Sequence, residues 1–400
     1  MKVSPSWKWL ALLCGAEVGT MLTFSGYAAA LPVLQREWGM RSGQAGAVFA
    51  AQQLGYTAAV LVLATLTDLW GVRRIYLLSA FWNGLANLAF PFFARDFASA
   101  FLLRLLCGAG LAGTYMPGMR LVVERFGPRQ RGAAMGLYIA CFSVGVALSL
   151  ALAGVLLPWG WRWSFWGPAV GPFVALALAW RIAQDPPRGP RVPLRVREVL
   201  RNAAAMRYVV AYAAHNWELF GMRAWLPAFL AAMWTAQGVP LGSAAAWGAT
   251  FGSVVLLVGA GSNALGGWVS DRVGRRPTLV AVLVASAVVS CTVGWTLSLG
   301  AAVVLPLALL YGLLVTAESS TLSAAVAEAA DPRWLGTTMA VQSGLGFAVT
   351  AVSPAVFGWL LDRAGWGVAF ASLGLAALCG AAVVGGSWRL IPGLRRGRLV

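Results

Sequence analysis

The feature that most constrains this chain is a series of twelve long apolar runs, each close to the length of a membrane-crossing helix. A bilayer requires about 20 mostly apolar residues in a helix. Of the 400 residues, 60% are hydrophobic and 11% are charged, whereas soluble domains average about 25% charged. We therefore predict an all-α integral membrane protein with helices at about Trp9–Pro32, Gln44–Leu66, Ile75–Phe93, Ala98–Arg120, Gly132–Leu157, Ser164–Ile182, 208–233, 244–267, 277–297, 301–323, 336–360 and 366–386.

The charged residues fall mainly in alternate breaks between these runs. About 23 Lys and Arg lie on one side of the predicted membrane and about 5 on the other, a bias typical of cytoplasmic loops. Twelve spans place both termini on that side, as in a multi-pass protein of a bacterial inner membrane. A net charge of +17 also suggests a nucleic-acid partner, but the placement of the charges favours membrane topology. A cleaved signal peptide is the alternative for the first run, which its length and Glu17 disfavour.

The sequence offers little to support a metal site, a cofactor or an enzyme. Its five cysteines all lie inside apolar runs without a CxxC pair, and it has one histidine. Neither a nucleophile elbow nor a phosphate-binding loop is present. We expect no disulfide, no bound metal and no cofactor, and we predict that the protein is not an enzyme.

The two halves of the chain repeat. Three local matches in the same order, 203, 204 and 205 residues apart, are Asp68/Gly71 with Asp271/Gly274, Pro128-Arg129 with Pro332-Arg333, and Gly160-Trp161 with Gly365-Trp366. A repeat of this kind indicates two bundles with a substrate path between them. We predict a first bundle at 1–183, a Pro- and Arg-rich cytoplasmic linker at 184–207, and a second bundle at 208–400 with a basic tail.

One charged break, Gly266 to Pro277, reads GGWVSDRVGRRP. We expect it to be a short cytoplasmic loop in which Gly267 allows a close helix approach and Gly274 a tight turn. Asp271 is placed to accept charge-assisted hydrogen bonds from a neighbouring arginine or a helix N-terminus. An ordinary positively charged loop is the alternative.

This stretch resembles the signature loop between helices 8 and 9 of the major facilitator superfamily, and with the repeat the resemblance covers the whole chain. It implies twelve helices in two pseudo-symmetric six-helix bundles, with the loop acting as a latch between helices of one half. The first-half copy is incomplete, because Leu69 and Val72 replace arginines. The latch residues implied are Asp68, Gly71, Arg73, Gly267, Asp271, Arg272, Gly274, Arg275 and Arg276.

Two further stretches bear on this resemblance. Arg104 to Gly108 looks like the helix-4 signature, whose arginine is associated with proton coupling in the family. On helix 5, Ser149-Leu150 stands where the family's proton antiporters carry a Gly-Pro pair. This departure weakens the case for a drug/proton antiporter.

Ionisable and polar residues inside the apolar runs are the candidate site. A charge at mid-bilayer costs roughly 2.5–3.5 kcal/mol, so such groups are expected to line a cavity or to pair. The candidates for the substrate or proton pathway are Arg104, His215, Glu218, Arg223, Glu17, Tyr27, Gln52, Tyr56, Glu318 and Gln342.

Each of these groups also has a structural interpretation. Arg104 can pair with Glu17 or with backbone carbonyls, and Glu318 can lie in cytoplasmic water. The polar stripe of His215 and Glu218 on helix 7 can serve only to pin helices together. Pro227 is predicted to break helix 7 and free backbone carbonyls.

These features favour a secondary transporter that moves a small solute by proton-coupled alternating access. Two arginines inside the spans, one per half, favour an organic or inorganic anion or carboxylate. The alternatives are a proton-driven exporter of hydrophobic or cationic compounds and a non-transporting membrane sensor. The expected partners are the solute, protons and the lipid bilayer, without nucleic acid, and a monomer is expected.

Overall fold

The computed structural model describes residues 5–183 and 195–386, and within these ranges it contains helices and no strands. Short 3₁₀ turns link several of them. The helices are α1 (Pro5–Met21), α2 (Gly26–Glu37), α3 (Ser42–Trp70), α4 (Val72–Phe93), α5 (Phe97–Arg125), α6 (Pro128–Leu156), α7 (Trp163–Trp166), α8 (Val170–Ile182), α9 (Val196–Leu200), α10 (Ala203–Ala236), α11 (Leu241–Val273), α12 (Arg275–Val293), α13 (Ala301–Ala329), α14 (Leu335–Thr350) and α15 (Ser353–Gly385).

Among the described residues, eight segments are long and apolar enough to cross a membrane. The longest, Pro332–Gly385, has 54 residues and turns back inside α15 at Gly365, where φ is 77°. The eight segments are Ser6–Glu37, Phe97–Arg125, Gln130–Trp159, Trp163–Ile182, Leu241–Val273, Arg275–Val293, Ala301–Ala329 and Pro332–Gly385. The predicted all-α membrane fold is confirmed, while the count of twelve spans and the orientation of the termini stay predictions.

Four helix predictions need correction. The sixth predicted helix is divided into α7 and α8, because the α-helix is interrupted between Trp166 and Val170. The first predicted helix is two helices, because the chain leaves the helical path between Met21 and Gly26. The eleventh is likewise divided, between Thr350 and Ser353. The predicted break at Pro227 was wrong, because α10 continues through it; membrane helices tolerate a proline when neighbours satisfy the freed backbone groups.

The charged stretch from Gly266 is helical rather than a loop. α11 continues to Val273, Gly274 alone forms the turn, and α12 begins at Arg275. Gly274 has φ 102° and ψ 150°, and Gly71 has φ 92° and ψ 151° at the matching place in the first half. Only glycine adopts such angles readily, so the predicted tight turn is confirmed in both copies.

The helices define two faces of the molecule. We call the face with the turns at Gly71 and Gly274 the latch face. The opposite face, which we call the far face, carries the turns at Gly39, Gly160, Gly238, Gly300 and Gly365, all with positive φ. The predicted linker begins on the latch face; residues 184–194 and the tail from 387 lie outside the described residues, and the division into two bundles stays a prediction.

The two halves meet along a seam formed by α3 with α15, α6 with α11, and α2 with α10. Towards the far face the seam is tight: a Cβ added at Gly154 would lie 2.9 Å from the Cβ of Ala249, and one at Gly46 would overlap the Pro354 carbonyl. Towards the latch face, Gly132 and Gly136 of α6 and Gly261 of α11 are exposed, and an added Cβ would meet no atom within 4 Å at any of them.

Candidate functional site

The break between α1 and α2 is stabilised by one side chain from α6. The hydroxyl of Ser149 donates to the Leu22 carbonyl at 2.5 Å and accepts the Ser25 N–H at 2.9 Å. Inside a membrane every broken backbone group needs a partner, and Ser149 supplies two. The residue that departs from the antiporter pattern thus holds the broken helix together, a role that sequence reasoning missed.

Arg104 on α5 lies beside this break. Its side chain is 0% exposed, and its Nη2 donates to the Gln52 side-chain oxygen and to the Phe24 carbonyl at 3.5 Å. The guanidinium carbon lies 5.6 Å from the centre of the Tyr27 ring. Its Nε and Nη1 have no hydrogen-bond partner. Within the described part of the chain, Arg104 is a buried cation that contacts carbonyl oxygens and a ring but no carboxylate.

Glu17 on α1 takes a different partner from the one suggested by sequence. The hydroxyl of Tyr138 donates to one carboxylate oxygen of Glu17 at 2.6 Å, and the other oxygen is buried without a partner. The predicted alternative of a pair between Glu17 and Arg104 is therefore wrong. Tyr138 was missed, although it lies 204 residues before Gln342 and so at the repeat position of a predicted residue.

The two predicted tyrosines make different contacts, one within the first half and one across the seam. Tyr27 is 0% exposed and donates its hydroxyl to the Ala45 carbonyl at 3.1 Å, which joins α2 to α3. Tyr56 on α3 has a buried hydroxyl without a partner, and its ring centre lies 5.2 Å from that of Phe347 on α14. Tyr56 therefore contacts the other half.

In the second half, His215 of α10 and Glu318 of α13 form a pair. The Nδ1 of His215 lies 3.1 Å from a Glu318 carboxylate oxygen, and its Nε2 lies 2.6 Å from the Ser319 hydroxyl. Both His215 and Glu318 are at most 1% exposed. The alternative that Glu318 lies in cytoplasmic water is therefore wrong, because its helix is rotated so that the carboxylate points at α10.

Glu218, one turn after His215, points elsewhere. It accepts a hydrogen bond from the Ser286 hydroxyl of α12 at 2.9 Å, and its second oxygen is buried without a partner. Gln342 of α14 donates to Ser323 at 3.1 Å and has an unpartnered carbonyl oxygen. The two polar residues of the stripe predicted on the seventh helix, here α10, therefore contact different helices: His215 contacts α13 and Glu218 contacts α12.

Arg223 is the second arginine inside the spans. It is half-buried, its guanidinium carbon lies 5.3 Å from the centre of the Phe220 ring, and its Nε has no hydrogen-bond partner. It does not pair with the carboxylates of the described ranges, including Glu218 on the same helix. Arg104 and Arg223 are therefore both available to an anionic ligand.

The fold and these contacts can now be set beside known proteins. A family model described as Major Facilitator Superfamily matches residues 13–354 and 253–398. The chain belongs to this superfamily. The resemblance seen in the sequence is confirmed, and with it the multi-pass inner-membrane location.

Individual relatives are distant. The superfamily protein is 27% identical over 286 residues to the probable 4-methylmuconolactone transporter of Cupriavidus pinatubonensis, in an alignment that covers 65% of this chain and 62%, less than two thirds, of that protein. It is 24% identical over 395 residues to the probable L-galactonate transporter of Escherichia coli, covering 88% and 82%.

A solved structure shares the fold. A bacterial homolog of the human lysosomal transporter Spinster, in an inward-facing and occupied conformation, superposes with a TM-score of 0.82 at 17% identity and covers 99% of this chain and 100% of that one. At this identity the likeness shows the fold alone.

Ion pairs occur at the predicted latch in both halves, and the arginine comes from a different helix in each. In the second half Arg275 pairs with Asp271 at 2.5 Å and with Glu328 of α13 at 2.9 Å. In the first half Val72 stands where Arg275 is expected, and Arg120 of α5 pairs with Asp68 at 2.7 Å and with Glu124 at 2.9 Å. Both latches therefore place one guanidinium between two carboxylates.

The other predicted latch residues have separate contacts. Arg276 donates to the Val384 and Gly385 carbonyls at the end of α15, and Arg73 donates to the Trp180 carbonyl. Arg272 lies over the Trp268 ring at 3.6 Å and is exposed. The predicted close approach at Gly267 was wrong by one position. A Cβ added there would lie 3.5 Å from the Ser320 hydroxyl, whereas at Gly266 it would overlap the Ala317 carbonyl.

On the far face, one carboxylate joins the two halves by hydrogen bonds. Asp362 of α15 accepts the backbone N–H groups of Ser42 and Gly43 at 2.9 Å each. These are the first two residues of α3, in the other half, where free N–H groups and the helix dipole favour an anion. We call this contact the far gate. Sequence reasoning missed Asp362 because its partners are backbone groups 320 and 319 residues away.

Proposed function

We propose that this protein is a secondary transporter that carries a small organic anion across the membrane by alternating access. The observation that supports it most is Arg104, a fully buried cation whose Nε and Nη1 have no protein partner. A guanidinium binds a carboxylate bidentately. A carboxylate ligand would supply the acceptors that Arg104 lacks and would balance its charge.

The position of Arg104 supports the same role. It lies at the break between α1 and α2, and broken helices mark substrate sites in transporters of duplicated architecture. Arg223 provides a second guanidinium without a carboxylate partner, on α10 in the other half. L-galactonate, named for one relative, is itself a carboxylate.

Protons are the favoured coupling ion. Glu17, Glu218 and Glu318 are each 0% exposed, and each has one carboxylate oxygen without a partner. A charged carboxylate in a dry interior costs several kcal/mol, and protonation removes this cost. A transporter that closes around protonated carboxyl groups and opens to release their protons would couple substrate movement to the proton gradient.

The test is uptake by proteoliposomes that contain the purified protein, with a panel of organic and inorganic anions, sugars and cationic drugs, with and without an imposed pH gradient. We expect carboxylate uptake that the gradient accelerates. Transport of cationic or hydrophobic compounds alone would replace the proposal with the exporter. Binding without flux would replace it with the sensor. The monomeric state stays a prediction.

A further inference from the structure

Four aromatic rings form a continuous row between the two halves. The ring centre of Phe220 in α10 lies 6.4 Å from that of Phe24, which lies 6.1 Å from that of Phe142 in α6. Phe142 in turn lies 5.1 Å from Tyr115 in α5. We call these four residues the aromatic row. Such spacing is typical of directly contacting rings.

The aromatic row is joined to both free arginines. The Arg223 guanidinium lies over Phe220 at 5.3 Å, and Arg104 donates to the carbonyl of Phe24. Phe24 and Phe220 are at most 4% exposed, whereas Phe142 and Tyr115 are partly exposed. The end of the row formed by Phe142 and Tyr115 is therefore its accessible end.

Three polar side chains close to Phe24 and Phe220 have partners within the protein. The Asn216 amide donates to the Tyr212 carbonyl at 2.9 Å, and the Ser353 hydroxyl donates to the Trp217 carbonyl at 2.5 Å. Gln52 accepts from Arg104. The ring faces of the row offer no hydrogen-bond partner, so a hydroxyl group of a ligand placed against them would be buried unmatched, which weakens binding.

From the position of the aromatic row beside Arg104 and Arg223 we infer that the anion has an apolar part that contains a ring. The substrate is then an aryl or cycloalkyl carboxylate rather than a polyhydroxylated sugar acid. The inference rests on the proposed function and specifies its substrate class. The carboxylate contacts Arg104 beside Phe24, and the ring of the substrate stacks on the accessible side of Phe142, the next ring of the row.

The test compares two carboxylates, 3-phenylpropionate and D-gluconate, on the purified full-length protein. Isothermal titration calorimetry gives their dissociation constants, and counterflow in proteoliposomes shows whether each is carried. We expect 3-phenylpropionate to bind at least about tenfold more tightly, as expected when hydroxyl groups lose their partners on burial. Equal or tighter binding of gluconate overturns the inference and leaves the proposed function standing. Absence of binding and counterflow for both overturns the inference and the proposed function together.

A variant locates the ring site. Phe142→Leu keeps an apolar side chain but removes the ring, and we expect it to weaken 3-phenylpropionate binding about tenfold, within the range for lost aromatic stacking. The matched control is Phe92→Leu, because Phe92 is 60% exposed and its ring centre lies 5.2 Å from that of Trp166, away from the seam. Unchanged binding in a Phe142→Leu protein that elutes as the wild type overturns the placement of the ring and with it the inference.

Discussion

The Nη2 of Arg104 lies 3.5 Å from the carbonyl oxygen of Phe24, which is free because the chain leaves its helical path between Met21 and Gly26. One residue of the broken helix thus provides a carbonyl to Arg104 and a ring to the other half. The break and the arginine are two parts of one arrangement. Any change that restores a continuous helix is expected to displace Arg104 as well.

The first prediction concerns the hydroxyl that stabilises this break. Ser149→Ala leaves the Leu22 carbonyl and the Ser25 N–H without their partner, and each buried unsatisfied group costs about 1–3 kcal/mol. We expect a lower melting temperature of the detergent-purified protein, measured by tryptophan fluorescence. The control is Ser372→Ala, which removes only a local bond to the Ala369 carbonyl within one helix. Equal melting temperatures for the two variants would contradict the role of Ser149.

The second prediction concerns the far gate. Asp362→Ala removes the acceptor for two N–H groups of α3, and hydrogen bonds to a charged group contribute about 1.5–3 kcal/mol each. The conformation closed on the far face should therefore lose population. Spin labels at Arg95 and Gln237, one in each half on the far face, should report longer distances by double electron–electron resonance.

Two variants sharpen the test of the far gate. Asp362→Asn keeps an oxygen acceptor without the charge and should give an intermediate distribution of distances. Arg363→Ala, at the exposed neighbour that lies over the Trp359 ring, should leave the distribution unchanged. If Asp362→Ala gives the wild-type distances, the carboxylate does not hold the halves together.

The third prediction separates a coupling carboxylate from a surface one. Glu318→Gln removes the proton site that faces His215, so we expect solute exchange to continue while an imposed pH gradient no longer drives uptake. The matched control is Asp331→Asn. Hydrogen bonds from Arg333 lower the pKa of Asp331 to about 2, below its value in the unfolded chain. The stability that charged Asp331 contributes is therefore fully present above the unfolded pKa, and it is lost as the pH falls through about 2.

Asp331 therefore stays charged at the pH values used for transport. Its Asn variant should keep the wild-type dependence of uptake on the pH gradient, measured in the same proteoliposomes. A Glu318→Gln protein that still accumulates solute in response to the gradient would remove Glu318 from the coupling site and leave Glu17 and Glu218 as the remaining carboxyl candidates.

The sequence predicts the local features of this protein well. The turn at Gly274 follows from a conformation that only glycine adopts readily, and the ion pair of Asp271 with Arg275 follows from their spacing of four residues on adjoining helices. The burial of Arg104 follows from its place within an apolar run. In each case the deciding interaction lies within a few residues, or the cost of exposing a charge to lipid decides it.

Features that depend on non-local contacts were not predicted. The break after Met21 depends on Ser149, more than 120 residues away. Whether Gly266 or Gly267 lies at the close approach between the helices depends on the rotation of α11 against α13. Arg120, on α5, makes the ion pairs expected of the arginine that Val72 replaces. A search limited to the signature stretch does not find it.

The most direct test of the central claim is counterflow of a carboxylate by the Arg104→Lys protein. Lysine keeps the charge but cannot form the two parallel hydrogen bonds of a guanidinium. Loss of charge-assisted hydrogen bonds of about 1.5–3 kcal/mol corresponds to roughly ten- to a hundredfold in affinity. We predict a loss of exchange of that size for Arg104→Lys and wild-type exchange for Arg363→Lys. Full exchange by Arg104→Lys would contradict the assignment of this buried arginine as the anion site.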